Sequence, residues 1–229
     1  MTTAMQLPKP PSPAETAKNP EQTFAWIEAR IAEIYATGRY EQQQQLQEKS
    51  LVLDQAAYLQ IYTTVHAYCK PHRGEQREPA LYRSLQEAIR AHCREASAYI
   101  AGRAAGDLDD DGADATLSTY LKQWKQFLEI SVRMRNLFSP LEKKWVWSAI
   151  DSEPPLEGVY LFPELHRRYW RAEVLGVNET SKGSSRVLKA VKRQQQNEGQ
   201  SHKLADEVTA AFDDLKLALV DGNFVAADQ

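Results

Sequence analysis

Apolar residues return at every third or fourth position along most of this chain, and no stretch holds a strand's alternation of apolar and polar. That regularity constrains the fold most, because a period near 3.6 belongs to helices and a period of two to half-buried strands. Phe24, Ile27, Ile31 and Ile34 set the pattern first, in a segment with Asn19 as N-cap, Pro20 at the first helical position and Gly38 to close it. The polar stretch "YEQQQQLQEKS" reads as a loop or a frayed helix. A second helix is expected from about Asp54 to Lys70, stopped by Pro71. A third runs through "ALYRSLQEAIRAHCREASAYIAG", with Leu81, Leu85, Ile89, His92, Cys93, Ala96 and Ile100 on one side. A fourth occupies Thr116 to Ile150, where Pro140 would clash with the carbonyl of Asn136 and so predicts a kink or restart. A fifth, "VYLFPELHRRYWRAEVL", carries Pro163 near its start, which a first turn tolerates. After Gly176, "SSRVLKAVKRQQQNEG" and "SHKLADEVTAAFDDLKLALV" read as two further amphipathic helices. The fold class is all-α, with helices packing on their sequence neighbours.

The second helix is apolar over too much of its circumference. A helix against a core needs a stripe about 100° wide. In "YLQIYTTVHAYC", stepping 100° per residue from Tyr58 lets Tyr58, Leu59, Ile61, Tyr62, Val65, His66, Tyr68 and Cys69 fill roughly half of the wheel. Gln60, Thr63, Thr64 and Ala67 hold the other half. Such a helix has one apolar arc for the core and a second to be accounted for. Tyr82, Trp124, Trp145, Trp147, Tyr160 and Trp170 read mostly as core, although Tyr and Trp also anchor protein interfaces.

Composition narrows the function classes. The formal net charge of -3 over 229 residues gives no field for gathering nucleic acid or an anionic membrane. No apolar run approaches the ~20 residues needed to span a bilayer. Residues 1–20 lack a signal-peptide apolar core and read as a disordered Pro-rich leader. Two cysteines do not make a disulfide framework, so the cytoplasm or nucleus is the expected compartment.

Catalytic and metal chemistry finds little support. Cys69 and His72 have a C-x2-H spacing and His92 adjoins Cys93, but a zinc site needs about four converging ligands, and both cysteines fall on apolar faces where free cysteine is an ordinary core residue. The run Asp107 to Asp114 lacks the glycine position and terminal Glu of a calcium loop and reads as a solvated loop. No glycine-rich phosphate cradle, G-x-S-x-G or H-E-x-x-H occurs. Lys182, Arg186, Lys189, Lys192 and Arg193 read as a solvated helix face rather than a nucleic-acid site, which would want more charge or interleaved aromatics. No catalytic residue, cofactor or metal is expected.

The blocks "IEARIAEIY", "YLQIYTTVHAYC", "LYRSLQEAI", "YLKQW" followed by "LEKKWV", and "GVY" leading to "YWR" resemble, in order and spacing, the N-terminal region of cullins, scaffold subunits of multisubunit ubiquitin ligases. The resemblance implies a first five-helix cullin repeat over residues 21–177 and a partial second repeat, two helices and a tail, over 178–229. "IYTTVHAYC" is closest to the cullins that bind the Skp-type, BTB/POZ-fold adaptor carrying F-box proteins. In that family the second and fifth helices form the adaptor surface. Carried over by position, the contacts are Tyr58, Leu59, Tyr62, Thr63 and His66 on one helix, and Pro163, His166 and Arg167 on the other. The wheel places the first set within about 140° of Tyr58, with Ile61, Val65, Tyr68 and Cys69 on the adjoining arc toward the core.

The sequence departs from the family at Pro163, where an aromatic is usual, and at His166, Arg167 and Arg168, where small or apolar residues are usual. The added arginines would suit an acidic partner patch. The resemblance covers no C-terminal cullin-homology domain, so no RING-box subunit is expected. The implied function is a non-catalytic scaffold that docks a Skp-type adaptor, with two roles open: competing with full-length cullins, or serving as one piece of a split or shortened scaffold. The alternative is a helical self-association or interaction module unrelated to ubiquitin ligases. Neither nucleic acid nor membrane is an expected partner.

Overall fold

The computed structural model describes residues 9–36, 55–70, 76–103, 110–178, 181–182, 185–196, 203–220 and 223–227. Gly38, the Gln-rich stretch, Pro71 and His72 lie outside the described residues.

The first helix, α1 (Pro13–Lys18), falls inside the leader expected to be disordered. A reciprocal cap explains it. The Ser12 hydroxyl accepts the Glu15 amide at 3.3 Å, and the Glu15 carboxylate accepts the Ser12 amide at 2.7 Å. Proline at the first position adds a preset φ. α2 (Pro20–Ala36) begins at Pro20 as the sequence implies and buries Ile27, Ile31 and Ile34. α3 (Gln55–Tyr68) and α4 (Glu78–Arg103) follow. α5 (Asp110–Leu137) starts earlier than expected: Asp110 to Asp114, read as loop, are helical, with Ala113 buried.

Pro140 does interrupt the next stretch. α5 ends at Leu137, Phe138 leaves helical geometry at φ -98 and ψ 12, and the chain restarts as α6 (Ser139–Leu141). A π-helical turn (Glu142–Val146) and α7 (Trp147–Ile150) continue it. α8 (Phe162–Glu173), α9 (Arg186–Gln196) and α10 (Lys203–Asp214) complete the helices among the described residues.

Two short antiparallel hairpins correct the expectation that no strand would form. β1 (Val177–Asn178) pairs with β2 (Ser181–Lys182), and β3 (Leu217–Val220) with β4 (Asn223–Ala226), in the register Leu217 to Ala226 and Val220 to Asn223. The last helix was expected to run through "LKLALV". It ends instead at Asp214, because Lys216 turns the chain at φ 51 and residues 217–220 find a strand partner. The fold remains all-α in class.

Backbone contacts divide the chain into two compact units, with a boundary that passes through α4 and α5. The first comprises residues 1–85 and 133–161. In it α1, α2 and α3 pack on one another and α3 packs on α6, around Ile27, Ile31, Ile61, Val65, Leu81, Tyr82, Phe138 and Leu141. The second comprises residues 86–132 and 162–229, so the segment after residue 177 shares a unit with α8. Its core is aromatic. Trp170 stacks on Phe127 at 4.6 Å, touches Trp124 at 5.3 Å and Tyr120 at 6.1 Å, and donates its indole N–H to the Tyr120 hydroxyl at 3.3 Å. Phe212 of α10 meets Tyr120 edge-on and joins Phe224 of β4 at 5.0 Å. Edge-on and offset rings are the favoured arrangements of such clusters.

Candidate functional site

α3 divides as its wheel implies. Ile61, Val65 and Tyr68 are buried, as is Cys69 just past the helix end, with Tyr68 against the ring of Phe24 at 6.0 Å. The inward arc also takes Thr64, which the wheel set among the polar residues. Its hydroxyl donates to the Gln60 carbonyl at 2.8 Å, and that local bond lets a threonine lie in the core.

The adjoining arc turns outward. Leu59 is 51% exposed and Thr63 is exposed, with its hydroxyl on the Leu59 carbonyl at 2.7 Å. Tyr58, Tyr62 and His66 are half-buried. The rings of Tyr62 and His66 lie one helical turn apart and stack, 6.4 Å between centroids and 15° between planes. Burial holds the His66 imidazole below its ordinary pKa, and the ammonium groups of Lys144 and Lys70 add to the effect, so the ring is neutral at pH 7. Lys144 is fixed here because its Nζ donates to the Cys69 carbonyl at 3.3 Å, filling an acceptor left over at the C-terminal end of α3. The result is an uncharged, aromatic and aliphatic face with lysines at one end.

α8 departs from expectation at His166. That residue was expected to touch a partner, but it is only 2% exposed. Its Nδ1–H donates to the Phe162 carbonyl at 2.7 Å and its ring lies 5.5 Å from Phe127. Desolvation lowers its pKa to about 4, with His92 adding to the effect and the Phe162 carbonyl opposing it. It is a neutral core histidine. Helix geometry explains the correction: His166 shares the inward face with Phe162 and Trp170, each four residues away. Pro163 and Arg167 are half-buried.

Arg167 does not simply reach toward solvent. Its Nε and Nη2 both donate to Glu164 Oε2, at 3.1 and 2.9 Å. Arg168 Nε and Arg171 Nη2 each approach Glu164 Oε1 at 3.2 Å, and Lys216 Nζ lies 3.7 Å from Oε2. Arg171 is buried and also donates to the Leu215 carbonyl at 3.1 Å. Sequence reading passed over Glu164, Arg171 and Lys216. The spacing of Glu164, Arg167, Arg168 and Arg171 at i, i+3, i+4 and i+7 is a legible stripe. Lys216 arrives only through the tertiary fold.

Cys69, Cys93 and His92 resolve into core. Cys69 and Cys93 are buried free thiols, and His92 stacks on Phe127 at 5.8 Å. Burial pushes the Cys69 thiol up to about 12 and the Cys93 thiol well above its ordinary value. Among the described residues no group of three or more His, Cys, Asp and Glu could hold a metal, and no helix is long and apolar enough to cross a membrane. Of the aromatics read as core, Tyr82, Trp124 and Trp170 are buried, Trp145 and Tyr160 half-buried, and Trp147 is 48% exposed.

A family model, the cullin alpha-solenoid domain, matches residues 28–222, well over half of the chain. No curated protein and no solved structure matches it.

Proposed function

The chain belongs to the cullin family, and from that premise we propose that it is a non-catalytic scaffold protein of the ubiquitin-ligase system that docks a BTB/POZ-fold, Skp-type adaptor with its F-box protein. The division of α3 carries this reading. Four residues of the helix serve the core, while Tyr58, Leu59, Tyr62, Thr63 and His66 present a continuous outward arc. An apolar and aromatic face with a neutral histidine, framed by Lys70 and Lys144, has the makeup of an interface centre with a polar rim. Pro163 and Arg167 of α8 remain adaptor contacts by family position, separate from the α3 arc. His166 leaves it, because a buried core ring offers nothing to a partner.

The test is a pull-down with a purified Skp-type adaptor. The Tyr58→Ala, Tyr62→Ala double variant should lose adaptor while keeping its circular-dichroism spectrum and its cooperative unfolding. Retention of adaptor by this folded variant would show that the assigned face is wrong. Competition follows from the same reading: a saturating amount of the protein, added to a reconstituted ligase built on a full-length cullin, lowers substrate ubiquitination. Sedimentation of the purified chain addresses the alternative. A stable homodimer that takes no adaptor favours self-association through the same face.

A further inference from the structure

The cation cluster around Glu164 includes Arg167, one of the proposed adaptor contacts, and joins it to three cations that the adaptor reading does not use. Glu164 stands in the first turn of α8, with Arg167 and Lys216 on its Oε2 and Arg168 and Arg171 on its Oε1. One carboxylate thus faces four cations, in a chain whose formal net charge is -3. Arg171 is buried and serves the Leu215 carbonyl as well, which makes it the structural member. Arg167 and Lys216 are different. The side chains are 29% and 48% exposed, and both converge on the same oxygen. Lys216 Nζ, at 3.7 Å, is an ion pair beyond ordinary hydrogen-bond length, on a largely accessible side chain.

The backbone supplies a second, independent observation. Lys216 is the only non-glycine residue at positive φ among the described residues, at φ 51, in the corner between α10 and β3. Glycine or asparagine is the usual occupant of such a helix-ending position. The corner is pinned from both sides, since the Lys216 amide donates to the Asp213 carbonyl at 2.9 Å and its carbonyl accepts the Ala227 amide at 2.8 Å. A lysine thus holds a glycine conformation with its ammonium beside an existing cation group.

We propose that Arg167 and Lys216, backed by Arg168, form a docking site for an anionic group, phosphate or carboxylate, on a peptide segment of a protein partner. A planar guanidinium suits a two-oxygen acceptor and the lysine adds a point charge beside it. Glu164 spaces the cations and competes for them. The site is compact, with no exposed aromatic among its members on which a base could stack, and that favours a peptide over single-stranded nucleic acid. It lies wholly within the second unit and does not rest on the α3 reading.

The full chain is titrated with a fluorescein-labelled phosphoserine peptide, its Glu-substituted twin, its unmodified serine twin and a labelled single-stranded oligonucleotide, at about physiological ionic strength. Binding of the phosphoserine or Glu peptide at least tenfold tighter than the serine peptide supports the proposal, and the stronger of the two names the source of the anion. Lys216→Gly should then weaken that binding at least fivefold with an unchanged or raised melting temperature, since glycine suits the backbone at this corner. Arg167→Ala should weaken it by tenfold or more, and Glu164→Gln should strengthen it by removing the competitor. Equal affinity for all three peptides, tighter binding of the oligonucleotide, or folded Lys216→Gly and Arg167→Ala proteins that bind like the parent would each overturn it.

Discussion

Tyr82 and Tyr160 are joined by two hydrogen bonds through one oxygen: the Tyr82 hydroxyl donates to the Tyr160 carbonyl and accepts from the Tyr160 amide, each at 2.8 Å. The ring of Tyr82 is buried near the start of α4 and meets Trp145 at 5.3 Å. A single side chain thereby holds both main-chain groups of a residue 78 positions away in sequence. Tyr82→Phe keeps the ring contact and removes both bonds together. Denaturant unfolding should register a loss of about 1–3 kcal/mol, the range for breaking hydrogen bonds at a buried site. A loss under about 0.3 kcal/mol would mean that water replaces the hydroxyl at no cost.

Two neighbours on α3 should respond in opposite ways. Ile61 is 2% exposed, so Ile61→Ala should destabilise by about 2–5 kcal/mol through lost burial and a cavity. Leu59, half exposed on the outward arc, should tolerate Leu59→Asp within about 0.5 kcal/mol or little more. The same Leu59→Asp change should abolish adaptor pull-down, because it places an unpaired charge in the centre of the proposed interface. Equal destabilisation of the two variants would contradict the division of the helix.

His166 ties stability to acid. Its pKa is about 4 in the folded protein against an ordinary 6.5, a difference caused first by desolvation. The unfolded chain therefore binds the extra proton more readily, and stability falls as pH drops from about 6.5 to about 4 and levels off below. The contribution is on the order of 3 kcal/mol across that window. His166→Asn, which keeps a donor for the Phe162 carbonyl and removes the titration, should flatten this part of the profile relative to the parent. Parallel profiles for parent and variant would show that carboxylates alone account for the slope.

The two thiols should be silent in the folded state. Burial raises both above their ordinary values, Cys69 to about 12, so almost no thiolate exists at pH 8. A disulfide-exchange reagent should label neither thiol within minutes in buffer and both after denaturation. Fast labelling of either in the native protein would place it outside the core.

Much of this architecture was legible in the chain because the deciding interactions are local. The 3.6-residue period marked α2, α3, α4 and α8, Pro20 opened α2, and Pro140 forced the restart after Leu137, each through steric rules acting within a turn or two. The wheel showed that α3 carries more apolar arc than a core needs, and family position divided that arc, with Ile61, Val65 and Tyr68 inward as the structure has them. Ser12 and Glu15 already spelled the capping box of α1, a local signal hidden by the proline-rich composition around it.

What the tertiary structure alone decided concerns partners distant in sequence. "LALV", residues 217–220, is an apolar run too short for periodicity to tell helix from strand, and only the hydrogen bonds to Asn223–Ala226 make it a strand. His166 looked like a surface residue by family position, yet the ring of Phe127, on another helix, makes its site a core. The sequence aligned Glu164, Arg167, Arg168 and Arg171 along one helix, and the turn at Lys216 carried the fourth cation to them from the end of α10. Local periodicity sets which face of a helix is apolar, whereas the charge and desolvation met on that face depend on which distant segment packs against it.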